Sequence, residues 1–299
     1  MREEAASLQL EAQSVRHRLA DYLALTKPRV VSMVLVTTLT GFYLGSGGTR
    51  DVALICNLLL GTALAAGGTL ALNQFMERDL DARMMRTRTR PLPDGRLRPG
   101  EALWFGLLIG VAGCGLLYLA IHPLTALVTA SISVTYLLLY TPLKRVSSIC
   151  SIVGAVPGAL PPVAGWAAAR GTLEAPAWVL FAIMFLWQIP HSLAIAQLYS
   201  VDYGRAGIKL LPTEDPTGGS TGRQIVSNSL ALLAVGLIPS LLGFAGAIYG
   251  VIALAAGVIL LVYGVRLAIA PSSQAARRVM FASLVYLPVV LVAMVLDKV

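Results

Sequence analysis

An apolar stretch of the chain ends in Asn73-Gln74-Phe75-Met76-Glu77-Arg78-Asp79-Leu80-Asp81-Ala82-Arg83-Met84-Met85-Arg86-Thr87. Asn73, Glu77 and Asp81 stand at i, i+4 and i+8. A helix that continues through them sets all three on one face. Asp79 is two residues from each acid and points elsewhere. Arg86, Arg88 and Arg90 follow in Arg86-Thr87-Arg88-Thr89-Arg90-Pro91. Hard oxygen ligands suit Mg²⁺, which keeps some of its waters and shares its coordination with substrate phosphates. Guanidinium forks grip phosphate through two bonds at once. The chemistry this predicts is a divalent cation holding a polyanion, with diphosphate the best fit. The competing reading is a solvated, salt-paired helix end. Asn73 and Glu77 argue against it, because they begin within the apolar run, where an unpaired charge is costly.

Further candidates lie elsewhere. Lys144 and Arg145 close Tyr140-Thr141-Pro142-Leu143-Lys144-Arg145 and add positive charge to the same side. The segment Tyr199-Ser200-Val201-Asp202-Tyr203-Gly204-Arg205 supplies Asp202 and Tyr203, with no acid four residues away on either side. His191 follows Pro190 in Trp187-Gln188-Ile189-Pro190-His191, with Gln197 nearby. A lone histidine often serves packing, but an intramembrane one beside a kink is also a functional candidate. The run Gly154-Ala155-Val156-Pro157-Gly158-Ala159-Leu160-Pro161-Pro162-Val163-Ala164-Gly165-Trp166 cannot be one straight helix. It is either a kinked packing helix or room for a flat, bulky ligand against the backbone. No P-loop, GxSxG elbow or HExxH is present, so those routes to hydrolysis are excluded.

These groups need elements to position them. The chain has 299 residues, 57% hydrophobic and 13% charged, with a mean hydropathy of +0.75. Soluble domains carry about 25% charged residues. The composition predicts an all-α, polytopic membrane bundle. Spans of roughly 20 apolar residues fall near 29–47, 52–76, 102–121, 124–141, 149–169, 176–198, 225–244, 247–269 and 278–296. A polar arm over 1–21 precedes a single transmembrane domain over 22–299. The net charge of +8 raises nucleic acid as a partner, but its distribution argues for none. Of the 23 Lys and Arg, all but Arg50, Arg170 and Lys298 fall on one side of the nine-span arrangement. Short basic loops stay cytoplasmic, so the N-terminus is expected inside and the C-terminus outside. The long loops at 77–100 and 199–223 then share the cytoplasmic side. Each passes from acids to a basic or proline-bearing stretch, so spans one to four and five to eight could be related halves. Cys56, Cys114 and Cys150 fit no metal or disulfide spacing and read as small hydrophobes. Glu3, Glu4 and Glu11 argue against a transit peptide. The first span would act as an uncleaved insertion signal, most simply in a bacterial inner membrane.

Several separated segments resemble the UbiA-type intramembrane prenyltransferases. They are Asp21-Tyr22-Leu23-Ala24-Leu25-Thr26-Lys27-Pro28-Arg29, Asn73 to Pro93, Tyr140 to Lys144, Gly154 to Trp166, Pro190-His191, and Asp202 to Pro212. Within that family, Arg86-Thr87…Arg90-Pro91-Leu92-Pro93 and Asp202-Tyr203…Ala206-Gly207 resemble the branch that farnesylates heme. The resemblance implies about nine helices around a central cavity that opens sideways to the lipid bilayer. It implies Mg²⁺, with Asn73, Glu77 and Asp81 as ligands and Asp202 in a second motif. It implies farnesyl diphosphate as donor, held by Arg86, Arg90, Lys144 and Tyr203, and heme b as acceptor through a vinyl group. His191 is a candidate to orient the water that completes the product. A downstream heme-modifying membrane enzyme is an expected partner. The chain departs from the family in two places. The second motif keeps only Asp202 where two acids spaced by four are expected, and Ser192-Leu193 follows His191 where an aromatic residue is expected. The alternatives are a prenyltransferase for an aromatic quinone precursor and, in a different class, a transporter.

Overall fold

A computed structural model describes residues 16–47, 51–215 and 217–299. Residues 1–15 of the expected polar arm lie outside it. Among the described residues there is no strand, only an isolated bridge between Ala245 and Lys298. Among the described residues, nine helices are long and apolar enough to cross a membrane. They are α1 (Pro28–Gly45), α2 (Val52–Asp81), α3 (Pro99–Ala120), α4 (Pro123–Leu143), α5 (Cys150–Arg170), α6 (Ala175–Leu198), α7 (Gly219–Leu241), α8 (Ala247–Ile269) and α9 (Ser273–Leu296). Their number and order match the spans expected from sequence. The chain is a multi-pass membrane protein.

Three boundaries matter for the site. The apolar pattern of the second span fades near residue 76, yet α2 continues to Asp81. No Gly or Pro interrupts those last turns, so the helix propagates through the charged residues. α3 and α4 separate at His122, whose Nδ1 accepts from the Leu124 amide at 3.1 Å and starts a new helix. α7 starts at Gly219 rather than near 225. Gly218 sits in the left-handed region (φ 72°), and Asp215 accepts from the Thr221 amide at 2.8 Å. Those amide and hydroxyl bonds hold the Asp215 carboxyl below its usual range, against the opposing pull of burial.

Two helices are irregular where they face the interior. α4 contains a π-helical stretch, Thr135–Tyr140. Pro142 follows it, and a proline ring clashes with the carbonyl four residues back, which favours a widened turn. Thr141 helps to hold that turn, its Oγ1 donating to the Tyr136 carbonyl at 2.8 Å. α5 is broken at Leu160, between Pro157 and the Pro161–Pro162 pair. Its second half lies against α1, where Gly165 meets the backbone of Thr38 and Phe42. A side chain at 165 would collide with main chain, so this glycine serves helix approach. Gly154 and Gly158, in the first half, instead face the rings and amide of Tyr140 and Gln188. The packing use is thus seen at Gly165, whereas Gly154 and Gly158 meet side chains of α4 and α6. α6 packs on α5, α7 and α9.

Candidate active site

The last turns of α2 set Asn73, Glu77 and Asp81 on one face, and all three are buried. Each meets a cation or donor from a different part of the chain. Lys27, just before α1, donates from Nζ to Asn73 Oδ1 at 3.1 Å. Asn73 Nδ2 in turn donates to Thr141 Oγ1 at 3.1 Å. Lys144, just past α4, places Nζ 2.8 Å from Glu77 Oε1. Arg90, in the loop after α2, places Nη1 2.6 Å from Asp81 Oδ2. Thr87 Oγ1 donates to the Asp81 carbonyl at 3.0 Å and ties that loop back onto the helix end. Asp79 is exposed and lies 3.8 Å from Arg78, off the face as its position requires.

The electrostatics follow from burial. Lys27 is held down to about 7, first by burial and then by the Arg90 and Lys144 cations, with Glu77 and Asp81 opposing. It is also the only non-glycine residue with positive φ (50°) among those described, a conformation that costs backbone energy. Lys144 behaves oppositely. Burial works against its charge, but Tyr140 and Glu77 outweigh it and hold the ammonium well above its ordinary value. Its Nζ also lies 4.3 Å from the Tyr140 ring centroid.

Arg86 Nη2 reaches the Tyr203 hydroxyl at 3.4 Å, and its guanidinium lies 5.5 Å from the Tyr199 ring. Asp202 accepts from the amides of Met85 and Arg86 at 3.2 and 3.3 Å. It therefore fastens the 199–210 segment to the loop after α2. Among the described residues, no three Asp, Glu, His or Cys side chains converge as a metal cage. The oxygen set Asn73, Glu77 and Asp81 still fits Mg²⁺, which is bound through one or two carboxylates with water and substrate phosphate filling the rest. Asp202 has both oxygens engaged by backbone amides.

Beside this cluster a cavity of about 380 Å³ lies between the helices, lined mainly by apolar groups and adjoining the cluster through Tyr140 and Tyr203. Tyr136, Gly154, Gly158, Gln188 and His191 are also on its wall. The His191 ring stacks on Trp187 (4.9 Å, 14°). Its Nδ1 is 2.8 Å from Ser283 Oγ of α9. An acidic, cation-rich mouth over an apolar chamber can ionise a diphosphate ester and shelter the resulting cation from bulk water.

Residues 34–285 match the UbiA prenyltransferase family. The chain belongs to that family. It is 45% identical over 287 residues to the protoheme IX farnesyltransferase of Solibacter usitatus, covering 93% of this chain and 98% of the relative. The protein of the same name from Aquifex aeolicus is 39% identical over 280 residues, covering 93% and 95%. Solved UbiA-type structures share the fold at low identity. A digeranylgeranylglyceryl phosphate synthase superposes with a TM-score of 0.80 at 16% identity, over 94% of this chain and 98% of that one. A UbiA homolog from Archaeoglobus fulgidus bound to DMAPP and Mg²⁺ gives 0.65 at 15% identity, over 92% and 99%.

In this UbiA chain the structure brings Asn73, Glu77, Asp81, Arg90 and Lys144 together, with Arg86, Tyr203 and Asp202 in a neighbouring cluster. His191 lies apart, on the cavity wall. Two residues went unassigned in the sequence. Lys27 sits in the quoted Thr26-Lys27-Pro28 segment, and a lysine before an N-terminal helix proline was the available signal. Ser283 left no signal, because a serine in an apolar helix is ordinary.

Proposed function

We propose that this UbiA-family prenyltransferase moves the farnesyl group of farnesyl diphosphate onto a vinyl group of protoheme IX, giving heme O and releasing diphosphate. The observation that carries this reading is identity of about 40–45% with protoheme IX farnesyltransferases over nearly the whole chain. Asn73, Glu77 and Asp81 would hold Mg²⁺, which supplies charge withdrawal from the leaving diphosphate when bound. Lys27, Arg86, Arg90, Lys144 and Tyr203 take the phosphate oxygens as the allylic C–O bond breaks. Asp202 holds the Arg86 backbone in place for that task. The apolar wall keeps water from quenching the farnesyl cation. The vinyl carbon attacks it, and the new cation beside the porphyrin is captured by water. As the water oxygen bonds to carbon, its proton passes to His191. The first half of α5, with Gly154 and Gly158, gives a flat acceptor close approach. The protein acts as a single transmembrane domain over 22–299 in a bacterial inner membrane, its site open to the cytoplasm, and it passes its product to a further heme-modifying membrane enzyme.

The test supplies heme b and farnesyl diphosphate to membranes containing the protein and examines the extracted pigment by mass spectrometry. The expected product carries a hydroxyethylfarnesyl group, and a chelator abolishes it. A prenylated quinone precursor instead, or full activity in thoroughly chelated membranes, overturns the acceptor or the metal respectively.

A further inference from the structure

Ser283 joins α9 to α6 through two hydrogen bonds. Its carbonyl accepts from Trp187 Nε1 at 2.7 Å. Its hydroxyl contacts His191 Nδ1 at 2.8 Å and donates to the Met280 carbonyl at 2.7 Å. The side chain is fully buried. A serine hydroxyl has one proton, and a carbonyl can only accept. The proton that goes to Met280 is unavailable to the imidazole, so the His191 bond is satisfied only if Nδ1–H donates. Neutral imidazole protonated on Nδ1 keeps its lone pair on Nε2. His191 is on the cavity wall, and its ring is fixed on one side by the Trp187 stack.

We infer that Ser283 is a positioning residue that fixes His191 as the Nδ1–H tautomer, leaving Nε2 as the proton acceptor of the cavity. In the reaction proposed above, the water O–H bond breaks as the C–O bond forms. The proton adds to Nε2 and gives an imidazolium whose Nδ1–H stays bonded to Ser283. That role rests on the proposed function, but the tautomer does not.

The tautomer can be read without substrate. Protein labelled with ¹⁵N-histidine carries three histidines, and loss of a signal in His191→Gln assigns the ring. The wild type should show Nδ1 protonated and Nε2 bare. Ser283→Ala should mix the tautomers and lower kcat roughly tenfold, the low end for loss of a partner behind a functional histidine, while KM for farnesyl diphosphate stays unchanged. Ser283→Thr keeps the hydroxyl and should restore both. Trp187→Phe removes the sister bond to the Ser283 carbonyl and should leave the tautomer intact. An Nε2–H ring in the wild type overturns the inference, and this measurement stands even if Ser283→Ala fails to fold. So does a tautomer scrambled equally by Trp187→Phe, which would make the clip merely structural. A correct tautomer in a protein that does not farnesylate heme overturns the proposed function alone.

Discussion

Glu77→Gln separates the two roles of this carboxylate. Its side chain and that of Lys144 are 10% and 13% exposed, at 2.8 Å. Removing one charge of a buried pair costs about 3–5 kcal/mol. Glutamine still accepts a hydrogen bond from Nζ, so the lower end, about 3 kcal/mol, is expected. At about 2–4 °C per kcal/mol for a domain of this order of size, the detergent-solubilised variant should melt roughly 6–12 °C below wild type. Lys144→Met alone should cost a similar amount by stranding Glu77. The double variant strands neither, so it should cost no more than either single, about 3 kcal/mol where additivity gives about 6, a coupling of about 3 kcal/mol. Turnover should behave differently. If Glu77 also holds the metal, both the single and double variants lose at least about a hundredfold in rate. Thermal melts with mass-spectrometric turnover on the same four proteins decide the matter. A coupling below about 0.5 kcal/mol refutes the buried pair. Recovery of turnover in the double variant refutes the catalytic role.

In a background lacking Cys56, Cys114 and Cys150, single cysteines at Thr89 and Thr217 should be labelled only from the cytoplasm, and labelling of either from outside would overturn the arrangement. Gly165→Leu should destabilise the fold, because position 165 meets the α1 backbone. Gly158→Leu should instead impair heme conversion while isoprenoid diphosphate binding survives, because position 158 meets the Gln188 side chain at the cavity wall. Equal effects of the two on melting and conversion would erase the distinction. Lys27 binds a proton less readily folded, at about 7, than unfolded, at 10.5. Substrate-free protein should therefore gain stability as pH rises between those values, and Lys27→Met should flatten that rise in melts taken across the range.

The spans and the acidic face were legible because both depend on local spacing. Apolar run length sets the helices, and i, i+4, i+8 sets the face. What closes the site comes from far along the chain and leaves no periodic trace. Lys27 meets Asn73 across 46 positions, Lys144 meets Glu77 across 67, and His191 meets Ser283 across 92. Asp202 entered as a possible ligand through the family resemblance, as part of a second motif. Beside Arg205 at 3.9 Å, its partners are the Met85 and Arg86 amides, groups that every residue but proline offers, so sequence could not single them out. The glycine-rich run was ambiguous for a related reason. Gly158 and Gly165 are identical as letters, and only the neighbours of each position separate a wall from a packing contact.

The pairing of α2's polar face selects what enters the site by charge. Asn73, Glu77 and Asp81 meet Lys27, Lys144 and Arg90 in turn, so with Lys27 protonated the cluster carries one surplus positive charge. A fully ionised isoprenoid diphosphate brings three negative charges and a magnesium ion two positive, so together they restore electroneutrality. Either one alone leaves charge stranded where the surroundings are poorly polarisable, and such imbalance is penalised. The mouth is thus a valence filter that favours the paired ion over its parts. After transfer, free diphosphate carries one negative charge more than the ester did, and the same balance then tips toward expulsion.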